Sequence, residues 1–319
     1  MLKWIAGGAL GLLIIAAIVF IIRTPLPADQ RNVVPVGDGT AVRAAKEPRI
    51  VALDPGLAQT LRDLGVGRLI VGRHGFDAWT QGAVPVVGDQ GSIDYEKLIA
   101  VNPTHVYLQW GKREVPERLT TLAAERGWKV ANFQLLTLDE VMAAADRLYG
   151  EFGSRAERAN LAALPSAALA EALKPALTSQ ERARVGPVLL LHTTAPLAAL
   201  GPGSYHHDLL VRCGATPALA TGKAYMTLDA EDVVKLNPAA IVLIQPRDEG
   251  VATARPLSPG ALKERLGVLA ELDIAAVKNG RVVLIDEPSA LLAGSGLTTV
   301  GAQLRGILAA WAGQTTPLK

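Results

Sequence analysis

Short apolar runs alternate along this chain with stretches in which apolar residues recur every three or four positions. Ile50–Leu53 and Val188-Leu-Leu-Leu191 are runs of the first kind, and each predicts a buried strand. Leu57, Leu61 and Leu64 recur at helical spacing, which predicts a helix after the first strand. Because strands alternate with helices in this way, we expect an α/β fold with mostly parallel sheets that helices cover on both faces.

One segment of this pattern occurs twice, 135 positions apart. Residues 92–108 and 227–243 share Asp, Glu, Asn, Pro and a final Leu at matching positions. Such a period fits a domain better than a solenoid unit of about 20–50 residues. We therefore expect two pseudo-symmetric lobes, over residues 49–137 and 187–314. The residues between them, 138–186, are rich in Ala, Leu, Glu and Arg, which predicts a long connecting helix.

The repeated segment also carries signals for where its helix begins and ends. Ser92 or Asp94 in the first copy, and Thr227 or Asp229 in the second, can cap the helix by accepting hydrogen bonds from its first N–H groups. The Asn-Pro pair ends the helix in both copies, because proline disfavours helical backbone in the residue before it.

The amino-terminal segment is long and apolar enough to cross a membrane. Residues 4–22 contain no charge and lie between Lys3 and Arg23. As a helix they would span roughly 28 Å, close to the thickness of the hydrocarbon core. We expect an uncleaved transmembrane anchor over residues 1–23 and an extended, proline-containing linker over residues 24–48. A cleaved signal peptide is the alternative, although the residues that follow offer a poor cleavage site.

Composition excludes some classes of function. The net charge is only +2 and no run of five or more basic residues occurs, so nucleic-acid binding has no support. The single cysteine, Cys213, cannot form an internal disulfide. No Gly-x-Ser-x-Gly motif is present, and no phosphate-binding Gly-x-Gly-x-x-Gly follows the first strand. We therefore do not expect an enzyme.

Candidate ligand-binding residues follow the predicted strands, where ligands of open parallel sheets gather. Aromatic faces suit a flat macrocycle, and cations suit its carboxylates. The candidates are His74, Trp79, Trp110, Arg113, His192, Tyr205, His206, Gln245 and Arg247.

Four of these candidates could bind metal. His and Tyr side chains can bind iron, which makes His74, His192, Tyr205 and His206 candidate iron ligands. The alternative for each is a loop residue that forms local hydrogen bonds. A bare Zn²⁺ or Mn²⁺ ion would need three or four converging His, Asp or Glu side chains.

The order and spacing of several motifs resemble a known family, the helical-backbone substrate-binding proteins of bacterial ABC importers for haem, ferric siderophores and cobalamin. The similarity covers about residues 49–311. Residues 290–299 are similar to the haem-binding branch, whereas Val87-Gly-Asp-Gln90 lacks the Tyr that haem binders often carry there. The motifs are Arg49-Ile-Val-Ala-Leu-Asp-Pro55, Leu61-Arg-Asp-Leu-Gly-Val-Gly67, Val84-Pro-Val-Val-Gly88, Tyr95-Glu-Lys-Leu-Ile-Ala-Val-Asn-Pro103 and Ala276-Val-Lys-Asn-Gly-Arg-Val282.

The resemblance implies two α/β lobes, a ligand held between them without catalysis, and no required cofactor. It also implies that Glu96 and Glu231 dock onto arginines of the importer's permease subunits, which work with ATPase subunits. The simpler role for each is a first-turn carboxylate favoured by the helix dipole, worth about 0.3–1 kcal/mol.

The sequence therefore predicts an extracytoplasmic binding protein, anchored in a bacterial inner membrane, that captures an iron chelate such as haem or a ferric siderophore. A cobalamin, zinc or manganese carrier, and a membrane-tethered sensor or scaffold with the same fold, are the alternatives.

Overall fold

The computed structural model describes residues 47–80, 82–89, 91–153, 164–247 and 254–313. The predicted membrane anchor over residues 1–23 lies outside these ranges, as does the predicted linker up to residue 46. Among the described residues, no helix combines the length and apolar character needed to cross a bilayer.

The chain forms two lobes, each built on one sheet. The first sheet has the order β3-β2-β1-β4-β5, and every pair of neighbouring strands in it is parallel. Helices connect its consecutive strands except β2 and β3, which the loop after His74 connects, and crossover connections of this length allow the strands to run parallel. The elements of this lobe are β1 (Ile50–Leu53), α1 (Pro55–Asp63), β2 (Ile70–His74), β3 (Val86–Gly88), α2 (Tyr95–Val101), β4 (His105–Leu108), α3 (Glu117–Arg126) and β5 (Lys129–Asn132).

Within the described residues, three helices lie between the two sheets in the chain. They are α4 (Leu138–Phe152), α5 (Pro165–Ala172) and α6 (Ser179–Val185). Thr137 and Glu140 form a capping box at the start of α4, the longest of the three, because each side chain accepts a hydrogen bond from the other residue's backbone N–H. A helix therefore follows the first lobe directly, but the described residues of this region form separate helices instead of one long helix, because Pro165 begins a new helix and Pro175 lies after its end.

The second sheet is mixed, which corrects the expectation that both sheets are mostly parallel. Its order is β11-β12-β10-β6-β7-β9, with β8 paired to β6. Strands β12, β10, β6 and β8 are parallel, but β7, β9 and β11 pair antiparallel with their neighbours. The physical reason is that β6 runs on to Thr194 and the chain turns straight back into β7, and a short turn can join only antiparallel strands.

The elements of this second lobe are β6 (Pro187–Thr194), β7 (Leu197–Leu200), α7 (Tyr205–Arg212), β8 (Thr216–Pro217), β9 (Tyr225–Thr227), α8 (Ala230–Leu236), β10 (Ala240–Ile244), β11 (Ala254–Pro256), α9 (Pro259–Leu266), α10 (Ala275–Lys278), β12 (Val282–Ile285) and α11 (Leu297–Gly313).

The two copies of the repeat form α2 and α8, and they begin and end alike. Asp94 caps α2 by accepting from Lys97 N, and Asp229 caps α8 by accepting from Asp232 N. Asn102 and Asn237 end the helices in the left-handed region, with φ of 42° and 40°. Asparagine tolerates that region better than most residues. Both predicted ends are confirmed, with Asp rather than Ser or Thr as the cap.

Apolar side chains form three clusters, one of which joins the lobes. Ile50 and Ala52 of β1 lie in this central cluster together with Val188 and Leu190 of β6, against helices that include α4, α7 and α11. The alternate residues of the same strands face outward into a separate cluster for each lobe. One continuous core therefore holds the two sheets together.

Candidate functional site

A short segment of lobe 2 reaches across to lobe 1 beside the carboxyl ends of the sheets. We call residues 290–296 the crossing segment. On the lobe 1 side, Ser295 N donates to Thr60 Oγ1 at 3.2 Å, and a Cβ added at Gly56 would lie 2.6 Å from the carbonyl oxygen of Ala293. Such a close approach of two backbones requires glycine. The crossing segment thus fixes the distance between the lobes near the candidate site.

Tyr205 and His206, both predicted ligand residues, hold the crossing segment from the lobe 2 side. Tyr205 Oη donates to the carbonyl oxygen of Leu291 at 2.8 Å. His206 Nε2 lies 2.7 Å from the carbonyl oxygen of Ala290, so Nε2 carries the proton and donates it. Both side chains are buried, and their rings lie 4.4 Å apart. In this structure both side chains hold the backbone of the crossing segment in place.

Burial sets the ionisation of both groups. It lowers the pKa of His206 to about 4, which keeps the imidazole neutral. It raises the pKa of Tyr205 far above the usual range. The Nδ1 atom of His206 is also buried and has no hydrogen-bond partner among the described residues. That atom is the one unprotonated nitrogen of the ring.

Tyr225, which sequence reasoning missed, lies beside the predicted ligand residue His192. The Tyr225 ring meets the His192 ring edge-on at 6.1 Å, and its hydroxyl lies near that of Tyr205. About half of Tyr225 (51%) is exposed, unusual for an aromatic residue in a sheet. Burial lowers the pKa of His192, so this imidazole also favours its neutral form. The only sequence signal was an aromatic residue just before the second copy of the repeat.

His74 of lobe 1 is fully buried at the end of β2. Its Nδ1 accepts a hydrogen bond from Phe76 N at 3.0 Å, and burial lowers its pKa. The residues just after it face solvent instead: Phe76 is 75% exposed and Trp79 is 37% exposed. Asp77 fixes this loop because its carboxylate accepts from Trp79 N and from the Arg62 guanidinium, both at 3.1 Å. The loop therefore offers aromatic faces rather than an imidazole.

Asp54, a second residue that the sequence did not single out, is buried at the junction of the lobes. Its carboxylate caps α1 by accepting from Leu57 N at 2.7 Å. Burial raises its pKa to about 6, and the nearby charge of Asp77 adds to that effect. The Asp54 charge also acts on Tyr205, which places this lobe 1 carboxyl near the lobe 2 tyrosine pair.

Trp110 and Arg113 lie in the loop after β4. The Arg113 guanidinium lies 5.4 Å from the centre of the Trp110 ring, a cation–π contact. Asn132 of β5 holds the loop because its Oδ1 accepts from Trp110 N at 2.8 Å. An aromatic ring and a cation therefore lie side by side after β4 in lobe 1.

Lobe 2 gathers three arginines at the ends of its parallel strands. Arg247 Nη2 lies 3.3 Å from Asp286 Oδ1, and Arg255 Nη2 lies 3.9 Å from Oδ2 of the same carboxylate. Arg265 Nη1 donates to Gln245 Oε1 at 3.3 Å. Gln245 and Arg247 were predicted from sequence, whereas the other two arginines come from β11 and α9. Two guanidinium groups therefore lie near the buried Asp286 carboxylate and a third lies beside Gln245, and such groups suit an anionic ligand.

Glu96 and Glu231 occupy matching positions in the first turns of α2 and α8. Both are exposed. Glu231 has a lysine one turn further on, with Lys235 Nζ 3.8 Å from its carboxylate. The position equivalent to Lys235 in α2 is Ala100, so Glu96 has no such neighbour.

The histidines do not assemble into a site for a bare metal ion. Within the ranges that the structure describes, no three His, Cys, Asp or Glu side chains are grouped so that they could hold one. A single axial ligand to a chelated iron does not require such a group.

Comparisons with known proteins agree with this architecture. Similar solved structures include the haem-binding protein RhuT from Roseiflexus sp. RS-1 (20% identity, 83% of this chain and 99% of that one, TM-score 0.58). The vitamin B12-binding protein BtuF of Vibrio cholerae is similar at 17% identity over 84% of this chain and 98% of its own (TM-score 0.62). A haem-binding protein from Pseudomonas aeruginosa is similar at 21% identity over 85% and 95% of the chains (TM-score 0.61).

At these identities the likeness to solved structures concerns the fold, and no curated protein matches the chain. The sequence also matches a family model, described as periplasmic binding protein, over residues 50–288. That range covers most of the chain and includes both lobes. The chain therefore belongs to the periplasmic binding protein family, whose members bind substrates for transport and are not enzymes.

Proposed function

We propose that this protein captures a ferric chelate, haem first and otherwise a ferric siderophore, between its lobes and delivers it to an ABC importer. The observation that carries this proposal is that exposed aromatic rings and clustered arginines both lie near the carboxyl ends of the strands. Phe76, Trp79 and Tyr225 offer faces on which a flat macrocycle can stack. Arg247 and its two neighbouring arginines suit carboxylates at the ligand's edge.

The iron itself would be reached from the lobe 2 side. His192 is a neutral imidazole that is partly exposed, whereas His74 and His206 are buried. Tyr205 Oη is already bonded to the crossing segment. Among the four tentative iron ligands, His192 is therefore the one that needs the least rearrangement to meet a ligand.

The test is a titration of the full chain with haemin, followed by its Soret band and by tryptophan quenching. We expect a Soret shift, and about tenfold weaker binding in Arg247→Ala because a charge-assisted hydrogen bond is lost. Arg126→Ala, at an exposed arginine at the end of α3, is the matched control and should bind as the wild type does. Ferric siderophores, cobalamin and Zn²⁺ are titrated in parallel. Failure to bind any of them contradicts the proposal.

Delivery is proposed to use Glu96 and Glu231, one carboxylate on each lobe. Exposed carboxylates on two similar helices suit two similar membrane subunits that carry arginines. In cells with the wild-type chain replaced, we expect Glu96→Lys and Glu231→Lys to reduce uptake of the bound chelate without changing its affinity. Equal loss of uptake and affinity contradicts a docking role. Anchoring by residues 1–23 is proposed on the sequence pattern, and the membrane fraction of full-length and residue 24–319 chains tests it.

A further inference from the structure

Beside the docking helix of lobe 1 lies a groove that the family role of Glu96 does not explain. The groove has a volume of about 390 Å³ and separates α2 from α3. Ile99 and Leu122 form its apolar floor, and both pack on the outer cluster of lobe 1. Ile99 is three residues after Glu96, so the two lie on the same face of α2. The groove and the carboxylate thus belong to one continuous surface.

The rim of the groove is acidic. Glu117, Thr121 and Glu125 are spaced four residues apart on α3, so they line one side of the groove as a single row. All three are exposed. No Lys, Arg or His among the described residues lies within 4.0 Å of the carboxylates of Glu96, Glu117 or Glu125, as the ion pairs of this part of the chain show. Two carboxylates that have no salt bridge to a described residue therefore line the groove, and Glu96 lies one turn before Ile99 on the adjacent helix.

The one cation at the groove is engaged elsewhere. Arg118 also lines the groove, but its guanidinium lies 4.3 Å from the centre of the Tyr95 ring, in a cation–π contact. This contact holds the arginine against the start of α2. Two carboxylates and one guanidinium therefore line the groove, so its lining carries a net negative charge.

Lobe 2 is built differently at the matching place. The chain after β10 is divided among β11, α9, a 3-10 turn over Gly267–Glu271 and α10, whereas lobe 1 has the single helix α3 after β4. The residue equivalent to Ile99 is Val234, which is exposed on α8. The two docking helices therefore present unequal surroundings to a partner.

We propose that the groove between α2 and α3 receives a cationic segment of the importer's membrane subunit, whose arginine or lysine lies along an apolar stem. Such side chains bury their stems on apolar surface while the charged end meets carboxylates, as the floor and rim here require. This inference rests on the proposed delivery to an importer. It makes lobe 1 the side of the molecule with the larger docking surface.

The test is photo-crosslinking of the full chain in its native host. p-Benzoylphenylalanine replaces Thr121 in the groove, Val234 on α8, or Ala170 on the surface of α5 as a control. Crosslinked partners are identified by mass spectrometry. We expect the Thr121 and Val234 positions, but not Ala170, to crosslink a membrane subunit of an ABC importer. We expect the peptide joined at Thr121 to contain Arg or Lys.

Charge reversal separates a cationic contact from mere proximity. Glu117→Lys or Glu125→Lys should reduce the yield at Thr121 by at least about tenfold, because an attraction becomes a repulsion. Glu171→Lys, at an exposed glutamate of α5, should leave the crosslinking yield at Thr121 unchanged. Unchanged thermal unfolding shows that these surface variants fold.

Three results would overturn the inference. A crosslink to the importer from Val234 but not from Thr121 excludes the groove. A Thr121 crosslink that survives charge reversal excludes a cationic partner. No importer crosslink from either position overturns the proposed delivery as well.

Discussion

Lobe 1 and lobe 2 contain the same helix, with the same Asp cap and the same left-handed Asn end, but they complete their sheets differently. In lobe 1 every strand pair is parallel, and the exposed aromatic residues Phe76 and Trp79 lie in a loop that follows a strand. In lobe 2 strands β7 and β9 run antiparallel, and they bring Tyr225 beside His192. The difference teaches that one scaffold can present exposed aromatic residues from a loop in one lobe and from a sheet edge in the other.

The largest effect should come from breaking the junction between the lobes. A Cβ at Gly294 would meet the carbonyl oxygen of Gly56, and neither backbone can move aside cheaply. We expect Gly294→Ala to lower the free energy of unfolding by about 3 kcal/mol, at the upper end of overpacking effects. Urea denaturation measures this.

Gly306→Ala in α11 is the control for the junction. Nothing lies within 4 Å of a Cβ at Gly306, so alanine should stabilise the helix by about 0.5–1 kcal/mol. If Gly294→Ala is equally harmless, the crossing segment does not constrain the lobes.

A second contrast concerns one buried titratable group in each lobe. Asp54 has a folded pKa of about 6 against an ordinary value of 3.8, so its contribution to stability falls as pH rises from about 4 to 6. His206 has a folded pKa of about 4 against an ordinary value of 6.5, so its contribution is lost as pH falls over nearly the same range. The two groups therefore change the free energy of unfolding in opposite directions as pH rises from about 4 to 6.

We expect Asp54→Asn to stabilise the protein at pH 8 by on the order of 2 kcal/mol, because the cap remains while the buried charge is removed. Near pH 4 this stabilisation should vanish. Between pH 4 and 8 the free energy of unfolding of Asp54→Asn should rise with pH, because the opposing contribution of Asp54 is gone and that of His206 remains. Urea denaturation from pH 4 to 8 measures both effects. Asp273→Asn, at an exposed aspartate, is the control, and a matching pH profile for the two variants would exclude a buried charged Asp54.

The two asparagine helix ends allow a finer comparison. Alanine at Asn102 should cost about 1 kcal/mol, because a left-handed backbone is strained for alanine. Asn237 also accepts a hydrogen bond from Ala275 N at 2.9 Å, and both Asn237→Ala and Asn237→Gly lose it. Asn237→Gly should therefore cost about 1 kcal/mol, whereas Asn102→Gly should be nearly neutral. Thermal unfolding measures the difference, and equal costs for the two glycine variants would contradict it.

The smallest effect concerns the lysine that only α8 carries. The Glu231–Lys235 pair is exposed, so Lys235→Ala should change stability by no more than about 0.5 kcal/mol. Ala100→Lys introduces the same pair into α2 and should gain no more than that. If lobe 1 provides the stronger docking surface, Ala100→Lys should lower the crosslinking yield at Thr121 while Lys235→Ala does not.

Features set by local chemistry could be predicted from the sequence. The caps and Asn ends of α2 and α8 depend on a few neighbouring residues, and both were predicted. The mixed character of the second sheet was not, because the turn after Thr194 decides the direction of β7, and the residues there did not distinguish a turn from a loop.

The candidate site was predictable only in part, for a related reason. Arg247 and Gln245 directly follow a strand and were found, whereas Arg255, Arg265 and Tyr225 reach the same region from distant elements. Tyr205 and His206 were expected to face a ligand, but both are buried because the inner face of α7 packs on the crossing segment. Such packing joins residues more than 80 positions apart.

The central cluster has a consequence for how the molecule could be divided. The inner faces of both sheets share one set of covering helices, so neither half keeps a complete core when the chain is cut between them. Separately expressed halves would expose those apolar faces and should aggregate or recombine. Unfolding should appear as one cooperative transition instead of two. A duplicated segment has thus become part of a single folding unit.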